Sequence, residues 1–181
     1  MYFLNKLKNY LRLLLNKKKG LEALGYNIGN KKFHNSMIDG LVPGLVTIGD
    51  NFVSAPGSIV LAHDASTFLH SGKYRVEKTK LGDNVFLGAN SIVMPGVTIG
   101  DNVIVGAGSV VTRNLESNAV YAGNPAKLMC SVDTYIKKCE EKGCLIEPPT
   151  SFSEQFNNKK ISNEDITEFN DMCVQYTRER K

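Results

Sequence analysis

His34, His63 and His70 are the three histidines of this 181-residue chain, and histidine is the side chain whose unperturbed pKa lies near neutrality. Chemistry that moves a proton at neutral pH points to them first. His63 follows the aliphatic Val60 by three residues, an odd step in extended chain, so its imidazole is predicted to face away from the side that Val60 packs. It also stands just before a polar stretch, 66–80, reading STFLHSGKYRVEKTK. A base in that position suits the removal of a proton from an attacking hydroxyl. Asp64 occupies a place that elsewhere in the chain holds Ser, Val, Leu or Phe, and a carboxylate there is costly unless paired. It either orients an imidazole, of its own or a neighbouring chain, or caps the start of the loop. His70, inside the polar stretch, is a candidate for contact with an acceptor or a donor. Zinc held by three histidines with one open position is a competing chemistry. Here His63 and His70 are seven apart and His34 lies far upstream, so no metal is expected.

The elements that position these residues are written in a period of six. Leu81, Leu87, Val93, Ile99, Val105 and Val111 form one unbroken aliphatic column, and Val85, Ser91, Val97, Val103, Ser109 and Leu115 form a second, four places on. The residue after each leading aliphatic is glycine in four of six cases, Gly82, Gly88, Gly100 and Gly106. A six-residue step does not return to one face of an α-helix, but it does in extended chain. Each hexad therefore reads as a short inward-facing strand and a tight turn, and the stack as a parallel β-helix, an all-β solenoid. The same register holds at Ile48, Ser54 and Val60, with Phe52, Ser58 and Asp64 in the companion column, and Val42 and Val46 extend it upstream. The stretch 66–80 interrupts it as an insertion, and insertions in solenoids are loops on one face, often the binding face.

At the ends the period fails. Phe3, Leu4, Leu7, Leu11, Leu14 and Leu15 fall on one face of a basic N-terminal helix. That helix packs on protein or lies on an anionic membrane surface; its apolar runs are too interrupted to span a bilayer. Ser131 is predicted to cap a helix that Gly143 stops, 144–161 reads as a linker, and Ser162 caps a last helix. The expected organisation is an N-terminal helical segment, 1–30, a β-helix domain, 31–127, and a helical tail, 128–181. Net charge is only +4 and Trp is absent, which sets nucleic-acid binding aside. Cys130, Cys139, Cys144 and Cys173 form no C-x-x-C pair and read as free thiols in a reducing cytoplasm.

Residues 81–127, LGDNVFLGANSIVMPGVTIGDNVIVGAGSVVTRNLESNAVYAGNPAK, resemble the C-terminal coils of the hexapeptide-repeat acetyltransferases. The closing AGNPAK is similar to the signature of the maltose, serine and polysaccharide O-acetyltransferases. The histidine–aspartate pair in VLAHDAS is most similar to the sugar and surface-polysaccharide members. The resemblance covers roughly 42–130 and implies a left-handed β-helix, a homotrimer with active sites between neighbouring coils, and acetyl-CoA as donor. It maps the catalytic base onto His63. It also maps contacts with the donor onto Ala89, Ala107 and Thr112, cations for its phosphates onto Arg113 and Lys127, and the turn delivering Lys127 onto Asn124 and Pro125. The function it implies is transfer of acetyl to a hydroxyl of a sugar or polysaccharide precursor. N-acetylation on the same scaffold and a non-catalytic trimeric platform are the competing readings.

Overall fold

The computed structural model describes residues 26–29, 33–154 and 161–180. Three parallel sheets are visited in strict rotation. A first circuit lays down β1 (Asn27–Ile28), β2 (Phe33–His34) and β3 (Met37–Ile38), one strand on each sheet. A second lays β4 (Val46–Ile48), β5 (Val53–Ser54) and β6 (Ile59–Val60) beside them. The chain then leaves the stack as an antiparallel hairpin, β7 (His63–Asp64) and β8 (Arg75–Val76), with a short helix α1 (Phe68–Ser71) between its strands. It returns with β9 (Thr79–Leu81), β10 (Phe86–Leu87) and β11 (Ile92–Val93), followed by β12 (Thr98–Ile99), β13 (Ile104–Val105) and β14 (Val110–Val111). Leu115 bridges to Ile99, and β15 (Ala119–Ala122) adds to the second sheet. There β16 (Lys127–Ser131) pairs with it antiparallel.

Pairing explains the period. Ile99 sits beside Leu81, eighteen residues earlier, whereas Leu81 sits beside Ile48, thirty-three residues earlier. The extra fifteen residues belong to the excursion that leaves the stack at His63 and re-enters at Thr79, so the insertion expected at 66–80 both starts and ends earlier. Leading aliphatics from all three sheets meet inside, with Val60, Leu87, Val93, Val105 and Val111 fully buried. Full burial of side chains of this size contributes about 1.5–3 kcal/mol each. The companion slot expected for Asp64 is filled instead by Thr79, 1% exposed. The chain departs at His63 and only re-enters the stack after the hairpin, so Thr79 stands two residues before Leu81 as Val97 does before Ile99.

The first circuit begins inside the segment expected to be helical, since β1 precedes residue 31. Residues 1–25, where the amphipathic N-terminal helix was expected, lie outside the described part. After the stack, α2 (Val132–Glu141) starts at Ser131, whose Oγ accepts the Thr134 N–H at 3.1 Å, and Gly143 follows its end at φ +55°. The stretch expected to be a linker contains a short helix, α3 (Thr150–Glu154), where Phe152 packs on Phe169 with ring centres 4.7 Å apart. The last helix, α4 (Asn163–Glu179), opens with a capping box between Ser162 and Asp165. Its Tyr176 hydroxyl donates to the Gly143 carbonyl at 2.7 Å, tying α4 to the end of α2.

The edge between the first and second sheets is stitched by side chains. Asn51 donates to Asn84, Asn84 to Asn102 and Asn102 to Asn118, at 2.7, 2.9 and 2.9 Å. All four lie at φ between 55° and 62°, a left-handed conformation that asparagine tolerates better than other residues with a Cβ. Replacing Asn84 by Ala is therefore expected to destabilise the fold by about 1–2 kcal/mol. Asn84→Gly, which relieves the backbone but loses the amide ladder, is expected to cost less; the denaturant midpoints of the two variants check the order.

Candidate active site

The carboxylate that meets His63 comes from the circuit above. Asp39 follows β3, and its N–H bonds to the Val60 carbonyl at 2.9 Å, which stacks it directly over the start of the hairpin. Its side chain is fully buried, and Oδ2 lies 2.5 Å from His63 Nδ1. The same oxygen accepts the Ala62 and His63 N–H groups, each at 2.9 Å, and Oδ1 accepts those of Leu41 and Val42 at 3.0 and 3.3 Å. Burial alone pushes Asp39 toward its neutral form, but these donors, Ala62 first and then His63, Leu41 and Val42, outweigh it and hold the carboxyl below its usual pKa. An ionised Asp39 accepts at Nδ1, so the proton of the neutral imidazole resides there and Nε2 carries the free lone pair. The His63 side chain is 25% exposed, so part of the imidazole reaches the surface.

Asp64 is turned elsewhere. Its Oδ1 accepts the Ser66 N–H at 2.7 Å, and this bond leads the causes that lower its pKa. It caps the first turn of the insertion and makes no hydrogen bond to His63 among the described residues. His70 lies exposed on α1. The insertion residue that reaches the imidazole is Tyr74, whose ring centre is 6.3 Å from that of His63 with the planes 16° apart. Arg75 anchors the hairpin, pairing with Glu77 and donating from Nη2 to the Pro95 carbonyl of the next circuit at 3.1 Å.

The residues expected to hold the donor fall on two edges of the stack. Leu61 bonds to Val93 and Met94 to Val111 through their backbones, so His63, Thr112 and Arg113 share the edge between the third and first sheets. Ala89 and Ala107 lie on the edge between the second and third, where Gly108 N–H donates to the Ala89 carbonyl at 2.8 Å. The turn through Asn124 and Pro125, joined by a cis peptide bond, belongs to that second edge. It is tied down by Gly123 N–H to Ser109 Oγ at 3.0 Å and Ala126 N–H to the Val110 carbonyl at 2.9 Å. Lys127 then opens β16 with its side chain exposed. A Cβ on Gly88 would lie 2.4 Å from the Ala107 nitrogen, so close stacking of circuits demands small residues here whatever binds outside. A shallow groove of about 370 Å³ lined by Asn51, Val53, Asn84, Val85 and Phe86 opens on the remaining edge, away from His63. Among the described residues no three His, Cys, Asp or Glu side chains stand close enough to hold a metal ion, and no helix is long and apolar enough to cross a membrane.

Asp39 and Tyr74 escaped the sequence reading. Asp39 belongs to a circuit whose paired positions Ile28, His34, Ile38 and the next, Ile48, are spaced six, four and ten along the chain, so the period of six cannot align it with Ala62. Tyr74 was one aromatic in a polar loop, and only the antiparallel register of His63 with Val76 brings it back to the imidazole.

Residues 78–113 match the family described as bacterial transferase hexapeptide (six repeats). The chain is 38% identical to Protein CapG of Staphylococcus aureus over 148 residues, covering 78% of this chain and 83% of that one. Among solved structures it is similar to a maltose O-acetyltransferase of Clostridium difficile, at 29% identity and a TM-score of 0.50, over 62% of this chain and 72% of that one. It is also similar to a hexapeptide-repeat acetyltransferase of Vibrio cholerae complexed with acetyl-CoA, at 25% identity and a TM-score of 0.52, over 58% and 59%. A buried aspartate ordering a partly exposed imidazole at the rim of a six-residue-period stack, and a match with CapG that runs through most of both proteins, lead to one conclusion: the chain belongs to the hexapeptide-repeat acetyltransferases.

Proposed function

We propose that this protein transfers acetyl from acetyl-CoA to a hydroxyl of a sugar or surface-polysaccharide precursor, with His63 as general base. The observation that carries the reading is the 2.5 Å contact between His63 Nδ1 and the buried Asp39. Nε2 takes the hydroxyl proton as the oxygen attacks the thioester carbonyl carbon. As the C–S bond breaks, the imidazolium returns that proton to the departing sulfur, so the base is regenerated with each turnover. Asp39 touches neither reactant; it holds the tautomer and stabilises the imidazolium. The Clostridium and Vibrio relatives, a maltose O-acetyltransferase and an acetyltransferase complexed with acetyl-CoA, support the donor and a sugar acceptor.

The rest of the assignment follows from placement. Ala89, Ala107 and Thr112 leave room for the donor's pantetheine arm, and Arg113 and Lys127 supply cations for its phosphates. One chain carries these residues on two separate edges, which supports a homotrimer of left-handed β-helices in which adjacent coils share each donor site. Domain limits of 31–127 for the coil and 128–181 for the tail belong to the same proposal, as does a cytoplasmic location, where acetyl-CoA is available. Contact of the N-terminal segment with a membrane surface would bring the enzyme to a lipid-linked acceptor.

Thiol release from acetyl-CoA, corrected for hydrolysis and measured over a panel of sugars and nucleotide sugars, tests the reading. His63→Ala is expected to lower kcat by about 10²-fold or more with acetyl-CoA binding intact, and Asp39→Asn by about tenfold or more. Equal rates in wild type and His63→Ala would refute the base assignment, and exclusive turnover of amino sugars would move the reaction to N-transfer. Lys127→Ala is expected to weaken acetyl-CoA binding about tenfold, with kcat at saturating donor little changed; titration calorimetry reads the difference.

A further inference from the structure

The hairpin that carries His63 also carries an aromatic surface that the transfer chemistry does not use. Tyr74 is 47% exposed. Its ring is held edge-on by Phe68, with centres 5.3 Å apart and planes at 87°, an arrangement that favours a fixed ring over a freely turning one. Phe68 is itself 49% exposed, and Val76, paired with His63 across the hairpin, is 47% exposed. Leu41, whose N–H binds Asp39, is 61% exposed. The solvent side of the imidazole thus carries apolar and aromatic side chains beside the carboxylates of Asp39 and Asp64 and the Arg75–Glu77 pair.

The orientation of Tyr74 carries the inference further. Its plane lies within 16° of the imidazole plane, so any flat body resting on the tyrosine also lies nearly parallel to the imidazole. The Nε2 lone pair lies in the imidazole plane and therefore points along such a body rather than into its face. A pyranose chair has this form: axial C–H groups make an apolar face, and equatorial hydroxyls radiate from the rim. Resting on tyrosine, it presents a rim hydroxyl edge-on to a base. We infer that Tyr74, braced by Phe68, is the stacking platform of an acceptor subsite, and that the acceptor is a pyranose acetylated at an equatorial hydroxyl. The inference rests on the acetyl-transfer reading above and adds the residue and ring form that select the acceptor. It assigns to Tyr74 the role in the insertion expected of His70.

The test compares methyl hexopyranosides with acyclic alditols of matching hydroxyl count as acceptors for the wild type, Tyr74→Phe and Tyr74→Ala. Wild type is expected to favour the pyranosides. Tyr74→Ala is expected to raise the pyranoside KM by about three- to tenfold, the size of an aromatic stacking contact, with kcat and the acetyl-CoA KM little changed. Tyr74→Phe keeps the ring and is expected to keep the wild-type KM. A Tyr74→Ala variant that loses kcat and slows acetyl-CoA hydrolysis without acceptor, at unchanged pyranoside KM, shows that Tyr74 only props His63 and overturns the inference. Indifference to position 74, or equal use of alditols, overturns it while leaving acetyl transfer standing. No transfer to any sugar by wild type with acetyl-CoA bound sinks both readings together.

Discussion

A strand of two residues cannot satisfy its own backbone, and that constraint governs this molecule. The strands' backbone groups find their partners one circuit above or below, as when Leu61 bonds to Val93 and Met94 to Val111. A circuit that drifted in length would put every following side chain on the wrong face. The period of six, the small residues at the corners and the amide ladder from Asn51 to Asn118 are three ways of meeting the same demand. The insertion meets it too, because its fifteen added residues leave and return without shifting Leu81 from its place beside Ile48.

The site exploits the place after Val60 where the chain leaves this repetition. His63 is the first residue to leave the stack, so its imidazole is freed from the core while its own N–H remains tied to Asp39 on the preceding circuit. The rigid part of the molecule supplies the buried carboxylate of Asp39, and the departing part supplies the imidazole that it holds. Arg75, bonded to the Pro95 carbonyl, returns the far strand of the hairpin to the stack, so His63 is held from both sides.

What could be read in the chain beforehand followed how strictly local chemistry repeats. From Leu81 to Leu115 the spacing is unbroken, and the strands stand where the period put them. Ser131 and Ser162 announced their helices because an N-cap is a local bond. His63 was recognisable from its odd step after Val60 and its position before the loop. Its partner was not, since Asp39 lies twenty-four residues earlier, beyond a circuit with irregular corners. Asp64 misled because the count from Val60 assumed that the chain stayed in the stack, when Thr79 takes that place after the excursion. Tyr74 depended on a cross-strand register that no local pattern encodes. The Gly-Asp-Asn triplets at 49–51, 82–84 and 100–102 were on view throughout, and a search for a repeat of whole circuits would have found the ladder in them.

The reversed strand at the end of the second sheet has a consequence for the protein's colloidal behaviour. Parallel β stacks are open at both ends, and an exposed end is a template for fibrillar growth by addition of further chain. Here β16 folds back antiparallel on β15, and α2 leaves directly from it. An incoming strand in the parallel sense finds that row of hydrogen-bonding groups already taken. The turn that presents Lys127 thus also keeps the outer row of β15 covered, and loosening it would expose that edge as well as displace a cation.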